Sequence, residues 1–352
     1  MEKLDLKQYT DYIMDTAEKL LAIDSPTGYT ARAADFVLSE LTALGYHPEK
    51  TAKGGVLVKL AQGMDDTGGL LLEAHTDTLG GMVSQIKPDG RLAITRLGGM
   101  NPNNAEGENV RVVTKFSGVY EGTCQLINAS IHVNGKYNEI KRDWDAMEIV
   151  LDEEVKSRED AEKLGIRVGD FICFDPRTRL TGSGYIKSRF LDDKLSVAIL
   201  LGFARYLRDC PGTLNRSVWL HITVFEEVGH GGSASVPAGV TEALSVDMGC
   251  VGQGLSCTER QVSICVKDSG GPYSYEVVKA LTAAAERAGA DYALDVYPFY
   301  GSDVEATLQA GYDIAHGLIG PGVYASHGYE RSHRDGAENT LRLLIAYTQP
   351  DL

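Results

Sequence analysis

The sequence predicts an α/β protein in which helices cover both faces of a central sheet and a small β-rich domain is inserted into the chain. Apolar strands alternate with amphipathic helices in the first part and again after about residue 185, which is typical of a sheet covered on both faces. Between these parts, short β-like pieces alternate with glycine turns, as in a small β domain. We therefore predict an α/β domain divided between 1–81 and 181–352, with the inserted domain at 82–180.

The first part is predicted to hold two helices and two strands. Apolar residues recur at helical spacing over 6–23 and 30–44. Gly45 follows the second helix, at a position where glycine commonly closes helices. Strands are predicted at 56–60 and 70–74. The second is the more continuously apolar of the two, as expected for a strand in the middle of a sheet.

The rest of the chain follows the same two patterns. In the insert, β-like pieces are predicted at 111–115, 118–124, 129–133 and 170–174, and the acidic segment 141–164 is predicted to form an exposed turn and a short helix. In the final part, helices are predicted at 192–208, 275–288 and 336–347, and strands at 217–225, 244–247 and 314–319.

Composition narrows the possible partners and location. The 352 residues are 43% hydrophobic, which is enough to build a core, and the net charge is −15. Nucleic acid and anionic membranes are therefore not expected as partners, because both attract clustered Lys and Arg. The six cysteines form no C-x-x-C pair, so a cysteine-rich zinc site is not expected. No apolar run is long enough for a membrane span and no signal-peptide pattern is present, so we expect a cytoplasmic protein.

Residues that can bind metal follow several of the predicted elements. His75 and Asp77 come directly after an apolar strand, where a hydrogen-bonded strand-end pair is the simplest interpretation. Asp192 and Asp193 begin a predicted helix. One aspartate there would suffice to cap the helix, and the other can bridge two metals with its two oxygens.

Two adjacent glutamates follow the strand predicted at 217–225. Glu226 and Glu227 would repel each other if buried, so they either turn towards solvent or lie in one charged site. The glycines after them favour a tight loop in which one glutamate binds metal and the other accepts a proton. Asp247 ends another predicted strand, and two histidines, His327 and His333, follow the last one.

The ligand types at these positions are carboxylate and imidazole. Such ligands suit Zn²⁺, Co²⁺ or Mn²⁺ better than a thiolate-preferring metal. Their order along the chain (His, Asp, Glu-Glu, Asp, His) is that of a peptidase with two catalytic metals. The sequence therefore predicts two divalent cations per chain, with zinc as the first choice.

The motifs resemble those of the M42 family of metallo-aminopeptidases, which includes glutamyl and deblocking aminopeptidases. The resemblance covers nearly the whole chain and rests on the segments AHTDTLGG (74–81), FLDDKLSVA (190–198), FEEVGHGGS (225–233), VDMG (246–249), GSDV (301–304) and ASHGYE (325–330). Thr78 stands where the family usually has Glu, and Lys194 where it usually has Arg. The segment ASHGYERSH differs from the common motif and is similar to the branch named for the osmolyte N-acetylglutaminylglutamine amide.

The resemblance implies a role for each motif residue. His75 binds one metal, with Asp77 as its partner and Asp247 completing that shell. Asp192 bridges both metals, and Glu227 with His327 holds the second. Glu226 is the general base. The family also implies a homo-oligomer, typically a dodecamer, in which the insert helps to form contacts.

Substrate-binding residues are predicted less directly. Tyr329, Arg331 and His333 can form a polar rim that contacts the substrate, since the forked guanidinium of Arg331 suits a carboxylate or amide oxygen. His333 can alternatively cap the last helix. Ser302 lies in a turn that the family places near the substrate.

The predicted function is a two-metal aminopeptidase that removes the N-terminal residue of a peptide. The alternative is a metal-dependent deacylase or amidase that acts on a small N-acyl peptide or amide, which the departures from the family motifs keep open. A glycoside hydrolase of the endoglucanase type is a weaker alternative, because paired carboxylates also serve glycosidases, but the chain has only two Trp.

Overall fold

The computed structural model describes residues 4–61, 63–211 and 214–349. Its helices are α1 Lys7–Leu21, α2 Ala31–Ala43, α3 Arg158–Lys163, α4 Leu191–Asp209, α5 Tyr275–Ala288, α6 Asp303–Gln309 and α7 Arg334–Thr348. Its strands are β1 Glu49–Lys50, β2 Val56–Lys59, β3 Gly69–His75, β4 Gly80–Ile86, β5 Leu92–Leu97, β6 Glu108–Val113, β7 Val119–Leu126, β8 Met147–Leu151, β9 Phe171–Phe174, β10 Arg179–Leu180, β11 Tyr185–Ser188, β12 Val218–Thr223, β13 Val240–Val246, β14 Gly249–Val251, β15 Val262–Lys267, β16 Tyr292–Val296, β17 Ala315–Tyr324 and β18 Glu330–His333. Among these residues, no helix is both long and apolar enough to cross a membrane.

The middle of the large sheet is parallel. Its strands lie side by side in the order β12, β3, β13 and β17, each parallel to the next. Every residue of β3 is buried, as expected for a strand covered on both faces. The carboxyl ends of these strands therefore meet at one edge of the sheet, which is where ligands bind in open α/β sheets.

Helices cover both faces of this sheet, as predicted. Leu70 and Leu72 of β3 point into a core that includes most of helix α4 together with residues of α5 and α7. Leu71 points to the opposite face and packs in a second cluster with Val304 of α6. The alternation follows from the two-residue repeat of a strand.

The insert contains a closed barrel with the strand order β4-β5-β8-β7-β6-β9. The barrel confirms the β-rich character predicted for this part of the chain. Its strands run from Gly80 to Phe174, whereas the exact domain boundaries at 81/82 and 180/181 stay a prediction.

Two predictions within the insert were wrong. The segment 129–133 forms no strand, and its side chains Ile131 and Val133 are 56% and 75% exposed, so the apolar spacing there has no sheet to pack against. Conversely, β8 lies within the segment predicted to be an exposed turn. Its Glu148 is buried because Lys87 and Arg91 of the neighbouring barrel segment pair with the carboxylate.

A third correction concerns the approach to His327. The strand predicted at 314–319 does not end there, because β17 continues through Gly320-Pro321-Gly322 to Tyr324. Gly320 lies against the backbone of Asp247 in β13's continuation, and Gly322 lies against the backbone of Thr258. The glycines therefore permit close strand packing and do not end the strand.

Candidate metal centre

Three parallel strands deliver the first side chains of the site. His75 is the last residue of β3, Asp247 directly follows β13, and the glutamate pair lies three residues beyond β12. In the register of β3 and β12, His75 lies opposite Thr223. The site predicted from strand ends therefore lies at a single edge of the sheet.

The glutamate pair points into the site and not into solvent. The side chains of Glu226 and Glu227 are 15% and 4% exposed. They lie in a short 3-10 turn between Phe225 and Gly229, which both have positive φ (75° and 83°). These two left-handed residues reverse the chain sharply, so that both carboxylates enter the site.

Asp77 holds this turn in place. Its Oδ1 accepts the backbone N–H of Glu226 (3.1 Å) and its Oδ2 accepts that of Glu227 (3.3 Å), while the Thr27 hydroxyl donates to Oδ2 (2.7 Å). The Nδ1 atom of His75 lies 2.9 Å from the backbone carbonyl of Asp77 and 3.5 Å from its carboxylate. Asp77 thus orients the histidine and also positions the glutamate pair, a connection that the sequence did not predict.

Asp192 lies between two histidines. Its Oδ1 is 3.2 Å from Nε2 of His75, and its Oδ2 is 3.4 Å from Nε2 of His327. The side chain does not cap α4, whose second and third residues, Asp192 and Asp193, have non-helical backbone angles. This arrangement suits a carboxylate that bridges two metal ions, one on each oxygen.

His327 completes the second side of the cluster. Its Nε2 is 3.6 Å from Oε2 of Glu227, and its ring lies against the backbone of Gly99, where a Cβ atom would come within 2.6 Å of Nδ1. Because Gly99 follows β5, the barrel contributes one wall of the site.

Donor atoms from different elements converge in two groups within 4.8 Å. One group contains His75, Asp192 and Glu227, and the other contains His75, Asp193 and Asp247. Asp193 was not in the predicted ligand set. Its Oδ2 accepts the backbone N–H of His75 at 3.2 Å, so it lies directly beneath the histidine. The assignment of individual ligands stays a prediction.

The charges in this cluster favour bound cations. Burial raises the pKa of Asp193, Glu226 and Glu227 well above the usual range, and repulsion from neighbouring carboxylates adds to the effect. Burial likewise raises the pKa of Asp247 to about 7. Burial opposes ionisation of Asp192 as well, but the hydrogen bonds from His327 and His75 lower its pKa.

Buried carboxylate oxygens without hydrogen-bond partners also indicate a cation site. Among the described residues, the buried Oε1 of Glu227 and Oδ1 of Asp193 have no hydrogen-bond partner. A buried carboxylate oxygen without a partner is costly, and a divalent cation satisfies several such oxygens at once. The residues present therefore fit a site for divalent metal.

Glu330, the last residue of the segment ASHGYE, also belongs to the site. Its Oε2 accepts the backbone N–H of Asp192 (3.1 Å) and its Oε1 that of His327 (2.9 Å). Burial raises the pKa of this carboxyl to about 8. Glu330 therefore ties together two loops that carry proposed ligands, although no spacing rule links it to Asp192.

The predicted substrate residues separate into two sets. Ser302 lines a cavity of about 500 Å³ that opens from the metal cluster. The other three do not line it: Tyr329 donates to the Arg177 carbonyl, Arg331 pairs with Glu259, and His333 caps α7. The structure thus favours the capping alternative for His333, and it gives Arg331 a carboxylate partner within the chain.

A glycine substitution tests how closely β17 and Asp247 must approach. We expect Gly320→Ala to destabilise the protein by about 1–3 kcal/mol or more and to reduce metal binding, because the new Cβ would lie 1.7 Å from the Asp247 carbonyl oxygen. Gly252→Ala is the control, since a Cβ there meets nothing within 4 Å. Wild-type Tm and metal content in the Gly320 variant would contradict this account of β17.

Comparison with known proteins agrees with this geometry. The family model for M42 glutamyl aminopeptidase matches residues 54–343, which span the barrel and every proposed ligand. The chain belongs to the M42 peptidase family. It is therefore a hydrolase, a metallo-aminopeptidase of this family.

Three similar proteins each align with 96% of this chain. The putative aminopeptidase YhfE of Bacillus subtilis is 44% identical over 336 residues, covering 96% of this chain and 97% of that protein. A TET aminopeptidase from a thaumarchaeotal archaeon of marine sediment has a TM-score of 0.86 at 21% identity, with 96% of each chain covered. The TET1 peptidase of Pyrococcus horikoshii, which can assemble into a tetrahedron or a large octahedral shell, has a TM-score of 0.84 at 22% identity, covering 96% of this chain and 99% of that one.

Proposed function

We propose that this M42 aminopeptidase uses two divalent cations and Glu226 as general base to release the N-terminal residue of peptides. The observation that carries the proposal is the position of the Asp192 carboxylate, with one oxygen facing His75 and the other facing His327. In this assignment Asp247 joins His75 on one side, and Glu227 joins His327 on the other. Two metals held this way would polarise the scissile carbonyl and make water more acidic.

The residues of the chain then have distinct tasks. Glu226 has its Oε2 3.6 Å from Nε2 of His75. In this assignment it binds neither metal, so its carboxylate remains available to accept a proton from the attacking water. It would return a proton to the leaving amine. Asp77 keeps Glu226 and Glu227 in position through their backbone N–H groups.

The donor atoms also limit the choice of metal. Both groups consist of imidazole nitrogen and carboxylate oxygen, which suit Zn²⁺, Co²⁺ or Mn²⁺. Zinc remains our first choice.

The cytoplasm remains the expected compartment.

We further propose a homo-oligomer, with a dodecamer as the expected form. The similar Pyrococcus horikoshii peptidase forms closed shells. Apolar side chains at the surface of the inserted barrel support an interface there, since Phe116, Val119 and Val168 are 81%, 55% and 62% exposed.

Metal analysis tests the two-metal assignment. We expect two divalent cations per chain in the active enzyme, loss of peptidase activity with a chelator, and recovery on adding Zn²⁺, Co²⁺ or Mn²⁺. The carboxylates need the cations to offset their mutual repulsion. Mass spectrometry of metals that finds one cation or fewer per chain in fully active enzyme would be inconsistent with the proposal.

The same preparation distinguishes the alternative activities. An aminopeptidase releases the fluorophore from a free aminoacyl amide but not from its N-acetylated counterpart, whereas a deacylase removes the acetyl group from the second. A glycosidase that works with paired carboxylates alone would survive the chelator. We expect activity on the free aminoacyl amide only.

A further inference from the structure

One face of α6 forms a wall of the cavity. Ser302, Glu305, Ala306 and Gln309 all line it, at spacings of three, four and seven residues that place them on one side of a helix. The same cavity is lined by the proposed metal ligands Asp192, Glu227, Asp247 and His327. A substrate bound at the metals can therefore bring its side chain against α6.

Glu305 is held firmly in this wall. A Cβ atom on Gly270 would come within 1.9 Å of its Oε1, and one on Gly301 within 3.0 Å of its Oε2. The carboxyl group of Glu305 thus lies directly against the backbone of two glycines. Burial and the neighbouring carboxyl group of Asp268 raise the pKa of Glu305 to about 8.

Asp268 is a buried carboxyl group next to Glu305. It is fully buried and accepts hydrogen bonds from the hydroxyl of Tyr273 and the backbone N–H of Gly270. The carboxyl groups of Glu305 and Asp268 therefore lie close together. Two neighbouring carboxylates repel each other, so a bound proton or cation stabilises the pair.

Positive charge is missing from this part of the cavity. Its lining residues, within the part of the chain that the structure describes, include no Lys or Arg, and the lining histidine, His327, is a proposed metal ligand. Lys267 is near but is exposed, and its ammonium donates to the backbone carbonyl of Asp268. The ionisable group that faces a substrate side chain at α6 is therefore the Glu305 carboxyl.

We propose that Glu305, backed by Asp268, forms a subsite for a basic side chain, so that the enzyme releases N-terminal lysine or arginine in preference to glutamate. This proposal rests on the two-metal aminopeptidase function. An ammonium or guanidinium group would pair with Glu305 and replace the shared proton as its counter-charge. A glutamate side chain would instead add a third carboxylate beside Glu305 and Asp268, and a leucine side chain would gain no polar partner.

The test is a series of aminoacyl amides of one fluorophore, with Lys, Arg, Leu or Glu as the amino acid, hydrolysed by metal-loaded full-length enzyme. For the wild type we expect kcat/KM for Lys and Arg to exceed that for Glu by about a hundredfold. Glu305→Gln should lower kcat/KM for Lys and Arg by about tenfold or more and leave Leu nearly unchanged, since a hydrogen bond to a charged group is lost. Glu305→Lys should reverse the order of Lys and Glu.

Glu276→Gln is the matched control, because it removes the same charge from an exposed position on α5 outside the cavity. The Leu substrate and the Tm of each variant report whether it is folded. If no substrate is cleaved by metal-loaded wild type, the aminopeptidase function itself fails. If Leu is cleaved but Lys and Glu are equally good, or Glu305→Gln leaves their ratio unchanged, the subsite proposal is overturned and the function stands.

Discussion

Replacing Glu226 by Gln is expected to lower turnover by about a hundredfold or more while metal content stays near that of the wild type. The amide keeps the size of the side chain but cannot accept the proton from water. Because Glu226 is not one of the proposed ligands, the substitution removes none of them. Turnover of an aminoacyl amide and metal analysis of the same sample are the measurements.

Stability gives this variant an independent check. Burial and nearby carboxylates raise the pKa of Glu226, so a neutral side chain there relieves repulsion. We expect the metal-free variant to have a Tm at least equal to that of the wild type, with Glu276→Gln as the control for a simple change of charge. A Glu226→Gln enzyme with full turnover would show that another group is the base.

The second large effect is expected at His327. His327→Ala should lose one of the two cations and about a thousandfold or more in turnover, because several kcal/mol of transition-state stabilisation depend on the metals. The Nε2 atom of His327 faces both Asp192 and Glu227, so its removal leaves two carboxylates without this partner. Metal titration by calorimetry measures the loss of one site.

His333→Ala is the matched comparison, six residues further on. The His333 side chain accepts the backbone N–H of Asp335 at the start of α7, and its Nε2 lies 2.8 Å from the Ser183 carbonyl. We expect both metals to remain, turnover to be little changed, and stability to fall by about 1 kcal/mol, as for loss of a helix cap. A metal lost in the His333 variant and kept in the His327 variant would mean that the ligand was assigned to the wrong histidine.

Much of the fold could be predicted because the signals are local. The apolar spacing before Gly289 predicts the helix at 275–288, and the structure has it at the same residues. The apolar run before His75 predicts a central strand, and β3 is buried along its whole length. Strand β8 could not be predicted in this way, because Glu148 is a tolerable buried residue only when Lys87 and Arg91 lie beside it.

The sequence by itself determined which residue types stand at the ends of β3, β12 and β13, and parallel pairing then brings them together, since such strands end at a common edge. The tertiary structure alone decided which way these residues point. Asp77 and the positive φ of Phe225 turn the glutamate pair inward, and Glu330 joins Asp192 to the loop that carries His327. The hydrogen bonds from Glu226 to Asp77 and from Asp192 to Glu330 join residues far apart in sequence, and a local sequence pattern does not identify such partners.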